Sequence, residues 1–226
     1  MATWITHMRI AEYFINNYPQ LNKIDFLVGN IAPDSGVPND DWSKFTPDSN
    51  ISHWKTNGNK IEADDFKQKY LEKNNFSYSF YLGYYFHLLT DIEWEKLFKI
   101  KMLEPIYYNG LNADSKFIWI IKKDWYGQDE LYLKQNPFSI FFTTFSKINE
   151  YENNYLEIFS KDAFIKRIKY ITNRYLNGNE NTEREFPYLK KEEMDYFVNN
   201  TISIFEKINK ELLINAESLN YRREFT

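Results

Sequence analysis

Cysteine is absent from this sequence, which rules out disulfides and thiolate metal sites alike. No apolar run approaches the roughly 18 residues that a membrane span requires, so no transmembrane segment is expected. The opening Met1-Ala-Thr-Trp4 has no basic stretch followed by an apolar one, so a signal peptide is not expected either. These two absences predict a cytoplasmic protein. Positive charge is not in excess: 28 Lys and Arg stand against 32 Asp and Glu, a net charge of −4 with a pI near 5.5. A dedicated nucleic-acid binder is usually basic, so stable nucleic-acid binding is not expected. Histidine is scarce, with only His7, His53 and His87, and none follows residue 87. No internal repeat, low-complexity tract or linker divides the chain, so residues 1–226 read as a single domain.

What is abundant is aromatic. Phe, Tyr and Trp make up 19% of the residues. They occur at core spacing beside many Lys, Asn and Ile, so a packing role is preferred over stacking platforms for bases or sugars. Helical periodicity dominates. Residues 3–18 place Ile5, Met8, Ala11, Phe14 and Ile15 on one face, with Thr3 or Thr6 as cap and Pro19 as stop. Residues 26–32 form a short apolar piece that runs into Pro33, Asp34 and Gly36, which places Asp34 at the end of a short helix or in the turn after it. Residues 35–59 lack periodicity, and a loop of that length suggests function. Helices follow at 61–73, 77–102 (stopped near Pro105), 113–135, 161–176 and 190–216, while 138–148 fits helix or strand. The expected architecture is all-α, a single-domain irregular helical bundle.

The anomaly lies in residues 80–98, an apolar and aromatic run that carries His87 and Asp91. Their i, i+4 spacing puts both side chains on one face, with Gly83 one turn back. Together with His7, Asp34 and His53 they form a set of nitrogen and oxygen donors suited to zinc, with iron, manganese or nickel as alternatives. Each also has a plainer reading: His87 and Asp91 as a structural pair, His53 as a solvated loop residue, His7 as a local hydrogen-bond partner. The residues taken singly leave both readings open.

The pattern His7, then Gly29-Asn-Ile-Ala-Pro-Asp34, then Ser52-His53-Trp54, then Gly83-x3-His87-x3-Asp91 resembles the bacterial zinc-dependent phospholipase C family. That family is related in fold to the fungal single-strand-specific zinc nucleases. The resemblance covers roughly residues 1–100. It implies an all-helical fold and a metal-dependent phosphoester hydrolase, a phospholipase C-like phosphodiesterase that uses a metal-activated water. It implies one zinc ion among Asp34, His53, His87 and Asp91, a second at His7 with Asp91 bridging, and Asp34 as general base. The implied substrate is a small or detached phosphoester, either a phospholipid head group or a nucleotide. Three features depart from the family. The His residues of its third metal site are missing after residue 87, Trp4 is internal where secreted members ligate through an N-terminal Trp, and no β-sandwich follows residue 190. These departures keep an alternative in play, a non-catalytic helical binding or structural protein with a degenerate or purely structural metal site. Glu95, Asp40, Asp41 and Asp48 are further acidic candidates. Arg9, Lys55, Lys122 and Lys123 are candidate phosphate partners, and Trp42 and Trp54 either line a pocket or pin the loop.

Overall fold

The computed structural model describes residues 1–41, 43–56, 60–72, 77–178 and 181–214. Thr3 precedes helix α1 (Trp4–Asn17), which buries Ile5, Met8, Ala11, Phe14 and Ile15 as the spacing predicts. Thr3 makes no side-chain cap, because its hydroxyl is committed elsewhere. Helix α2 (Lys23–Gly29) is capped by Asn22, whose side chain accepts from the Asp25 N–H. A 3-10 turn, Ala32–Asp34, follows at once, so Asp34 lies in the turn beyond the short helix. The aperiodic stretch is less bare than expected. Strands β1 (Val37–Pro38) and β2 (Phe45–Thr46) pair antiparallel, and helix α3 (Ser49–Ser52) is capped by Asp48.

Helix α4 (Ala63–Tyr70) is shorter than the periodicity predicts. Helix α5 (Tyr78–Lys101) is buried through most of its circumference from Tyr78 to Asp91, as an apolar helix must be. Pro105 stops it but also starts another: helix α6 (Pro105–Ala113) has Pro105 in its first turn, where the missing N–H costs nothing. Asp114 then accepts from the Lys116 N–H, which separates α6 from helix α7 (Ile118–Gln135). The expected helix 113–135 therefore begins five residues later. Residues 138–148 contain one turn of helix α8 (Ile140–Thr143) and a 3-10 turn, Phe145–Lys147, with no strand. Helix α9 (Ala163–Leu176) matches expectation, while helix α10 (Lys191–Ile208) bends at Asn209 before the helical residues 210–214. The expected helix ends at residues 73 and 216, and the pocket role of Trp42, lie outside the described residues.

The result is an irregular all-α bundle with one small two-stranded ladder. Its buried apolar side chains, from α1 through α10, form a continuous core in which Phe14, Phe26, Phe86 and Phe205 interlock. The aromatic surplus goes mainly there, as expected. Among the described residues, no helix is long and apolar enough to cross a membrane. One contact sets the position of the site. A Cβ on Gly83 would lie 2.2 Å from the Phe26 carbonyl oxygen, and one on Gly29 would lie 2.1 Å from that of Phe80. Only glycine lets α2 lie this close along α5.

Candidate metal centre

Four separate pieces of chain bring the five candidate donors together. His87 and Asp91 come from α5, His7 from α1, Asp34 from the 3-10 turn after α2, and His53 from the C-cap of α3. Their imidazoles and the Asp91 carboxylate are buried, while the Asp34 side chain is about 10% exposed. Local anchors hold His87 and His53. Asn30 at the end of α2 donates its side-chain amide to the Gly83 carbonyl at 3.1 Å, and its own carbonyl accepts from His87 Nδ1 at 2.8 Å. His53 Nδ1 donates to the Ser49 carbonyl at 3.1 Å. The Tyr84 hydroxyl, from the α5 turn that precedes His87, donates to the Ser52 carbonyl and ties the loop to the helix. Trp54 then turns the chain with a φ of 52° and packs edge-on against Phe66 and Tyr70, so it pins the loop.

These bonds fix the tautomers. A carbonyl can only accept, so His53 and His87 both carry hydrogen on Nδ1, and when neutral both aim an Nε2 lone pair inward. The two Nε2 atoms are 3.3 Å apart. Asp34 Oδ1 is 3.3 Å from His53 Nε2, and Asp91 Oδ2 is 3.5 Å from His87 Nε2 and 3.6 Å from His53 Nε2. A tetrahedral zinc with ligands at about 2.1 Å separates neighbouring donors by about 3.4 Å. These four separations match the spacing such an ion imposes, while Asp34 and Asp91 fall in different candidate clusters that share His87. Asp91 Oδ2 has no hydrogen-bond partner among the described residues, although it is buried.

Asp91 also faces the other way. Its Oδ1 accepts from the Ala2 N–H at 2.7 Å and lies 3.5 Å from His7 Nε2. The His7 ring stacks on His87 with centroids 3.9 Å apart, and neither of its buried nitrogens has a hydrogen-bond partner among the described residues. Burial, then the neighbouring His87, push the His7 pKa down to about 4, so at neutral pH it offers a lone pair. Burial alone would lower His87, but Asp91, Asp34 and the Asn30 carbonyl outweigh it and the net shift is upward. In the absence of a metal, a proton on His87 can relieve one of these contacts. Burial would raise Asp91 and Asp34, yet the neighbouring groups win and both are held well below the usual carboxylate range. Among the described residues, two clusters can accept a cation: His7, His87 and Asp91, and Asp34, His53 and His87.

Residues 6–94 match the family model of zinc dependent phospholipase C. The matched stretch is less than half of the chain and contains all five donors. It coincides with the region of the resemblance read from the sequence. No curated protein and no solved structure matches the chain. Together, the family match and the two side-chain clusters support a metal-binding, hydrolase-like fold.

A cleft of about 860 Å³ opens onto Asp34, His53 and Asp91, and the fully buried His7 and His87 lie behind them. Lys55 and Lys122 line it, as phosphate partners would. Arg9 is elsewhere, paired with Asp195 at 2.6 Å beside a separate depression, and Lys123 is not among the lining residues. Glu95 reaches the cleft rim but pairs with Lys99 at 2.7 Å, which makes it an exposed helix acid. Asp41 and Asp48 serve their own turns, accepting from the Ser43 and Asn50 N–H groups, and Asp40 is exposed.

Three contributors were not legible as such. Trp4 Nε1 donates to Asp34 Oδ2 at 2.8 Å, and the Ala2 main chain reaches Asp91. The first residues thus form a wall of the site, even though Trp4 is internal. Arg167 of α9 stands over the Trp4 ring, with Cζ 5.6 Å from its centroid. No local pattern announces contacts between residues so far apart in sequence.

Proposed function

We propose that this protein, as one domain, is a metal-dependent phosphoester hydrolase of the phospholipase C-like type. The observation that carries the reading is the pair of inward-facing imidazole nitrogens of His53 and His87, 3.3 Å apart, with Asp34 at 3.3 Å from His53 and Asp91 at 3.5–3.6 Å from both. His53, His87, Asp34 and Asp91 would hold one zinc-like ion. His7 would hold a second, with Asp91 between the two. A bound divalent ion supplies Lewis acidity: it makes water acidic near neutral pH and offsets charge on a phosphoryl group.

The protein's own groups do the rest. Asp91 is buried and stays ionised, so it balances cationic charge at the floor of the cleft. Asn30 and Ser49 keep the two imidazoles in the donor tautomer. Asp34 is the more exposed of the two cluster carboxylates that border the cleft. Its Oδ2 is held by the Trp4 indole, which orients it to accept a proton from the attacking water. We propose Asp34 as the general base on that ground, and a small or detached phosphodiester or phosphomonoester as substrate.

Metal analysis tests the first half. Protein equilibrated with zinc and freed of excess is expected to retain one or two ions per chain, and His53→Ala and His87→Ala are expected to lose at least one. A wild-type chain that retains none would sink the reading. Hydrolysis of a panel of phosphoesters tests the second half. Asp34→Asn is expected to reduce the rate by about 10²–10⁴-fold, the usual weight of general-base catalysis. Zinc retention without turnover of any phosphoester would instead favour a structural metal site.

A further inference from the structure

Three cations that the proposed chemistry does not use line the cleft: Lys55, Lys122 and Arg167. Arg167 is half-buried and donates Nη2 to the Gly36 carbonyl at 2.8 Å, two residues beyond Asp34. Its Cζ lies 5.6 Å from the Trp4 centroid and 5.4 Å from that of Tyr170. Lys122, also half-buried, places Nζ 4.7 Å from the Trp119 centroid. Arg167, Lys122, Trp4, Tyr170 and Trp119 all line the cleft. Among the described residues no carboxylate forms an ion pair with Arg167 or Lys122. Burial lowers the pKa of both, and only Asp34 among the carboxylates pulls Arg167 back up. Asp34 would already be engaged with the metal. The acid at the rim, Glu95, is neutralised by Lys99.

Aromatic faces such as Trp4, Tyr170 and Trp119 are what recognises an ammonium group. Here the protein's own guanidinium and ammonium already stand against those rings. A zwitterionic head group would bring its positive charge against Arg167 and Lys122, while an anion would find two cations short of partners and a planar fork suited to phosphate or carboxylate. We infer that this cleft selects phosphoesters with a second anionic group and discriminates against those with an ammonium head group. This rests on the phosphoester reading above and names the substrate class for the same site.

The test is binding to the zinc-loaded full chain, followed by calorimetry. The probes are three phosphomonoesters of similar size, phosphocholine, glycerol 3-phosphate and 3-phosphoglycerate, with inorganic phosphate as reference. 3-Phosphoglycerate is expected to bind tightest and phosphocholine weakest, about tenfold or more apart, as like and unlike charges in a partly desolvated cleft require. Arg167→Gln and Lys122→Gln are each expected to compress that range, chiefly by weakening 3-phosphoglycerate. Lys122→Gln lies on the outer part of α7 and guards against a folding defect at Arg167. Phosphocholine binding as tightly as 3-phosphoglycerate overturns the inference, and so do variants that weaken all three probes equally. If zinc and inorganic phosphate bind but selectivity is flat, this inference fails alone. If neither binds, the phosphoester reading fails with it.

Discussion

Asp129 of α7 is a buried carboxyl that accepts from two hydroxyls. Thr3 Oγ1 donates to it at 2.6 Å and the Tyr175 hydroxyl at 2.5 Å. Burial pushes its pKa up to about 7 despite those bonds. The folded state therefore binds a proton more tightly than the unfolded chain, whose value is near 3.8. The contribution to stability is complete in acid and fades as pH rises from about 4 to about 7. Three units at 1.36 kcal/mol each come to about 4 kcal/mol. Asp129→Asn lacks this dependence, so its advantage over wild type is expected to grow between pH 5 and pH 8. Urea midpoints for both proteins at the two pH values decide it, and an unchanged gap would remove Asp129 as the cause. At this scale the candidate donors were legible because histidine is rare and His87 and Asp91 share a face. Asp129, Asn30, Trp4 and Arg167 were not. Their partners lie many tens of residues away, and a side chain with a distant partner leaves no local spacing to read.

The packing of α2 on α5 links the elements to the site, because Asn30, just past Gly29, is what orients His87. Gly83→Ala would drive a Cβ into the Phe26 carbonyl, and backbone cannot yield as a flexible side chain does. A loss of about 1–3 kcal/mol is expected from overpacking. Because the Asn30 carbonyl would move off His87 Nδ1, zinc affinity is also expected to fall by about 10–100-fold, the usual effect of losing such an outer contact. Zinc titration of folded variant under native conditions separates the two effects; full affinity in a destabilised protein would show that the helix spacing does not control the ligand. Most long helices were legible from their apolar period, α1, α5 and α9 above all. Helix α6 was missed because Pro105 was read only as a stop, although a first-turn proline starts a helix equally well. The ladder and α3 within residues 35–59 are too short to carry a period.

Across the whole molecule, the donors come from residues 7 to 91, whereas the opposing cleft residues Lys122, Arg167 and Tyr170 belong to α7 and α9. An ion bound only by the assembled site holds those early segments together. At a free concentration a hundredfold above its dissociation constant, it adds about 2.7 kcal/mol. For a chain of this length that corresponds to about 5–10 °C in Tm. Thermal scans with zinc and with chelator are expected to differ by that amount, and coincident curves would rule out a site this well formed. The partnerless buried nitrogens of His7 and the Oδ2 of Asp91 have a further consequence for protein turnover. Buried polar atoms left without partners cost about 1–3 kcal/mol each, so the metal-free chain opens more often than the loaded one. Proteases act on the open form. On the proposed reading, zinc supply would set how long each copy of this protein survives, and a depleted chain would be cleared before it could accumulate as an inactive competitor for substrate.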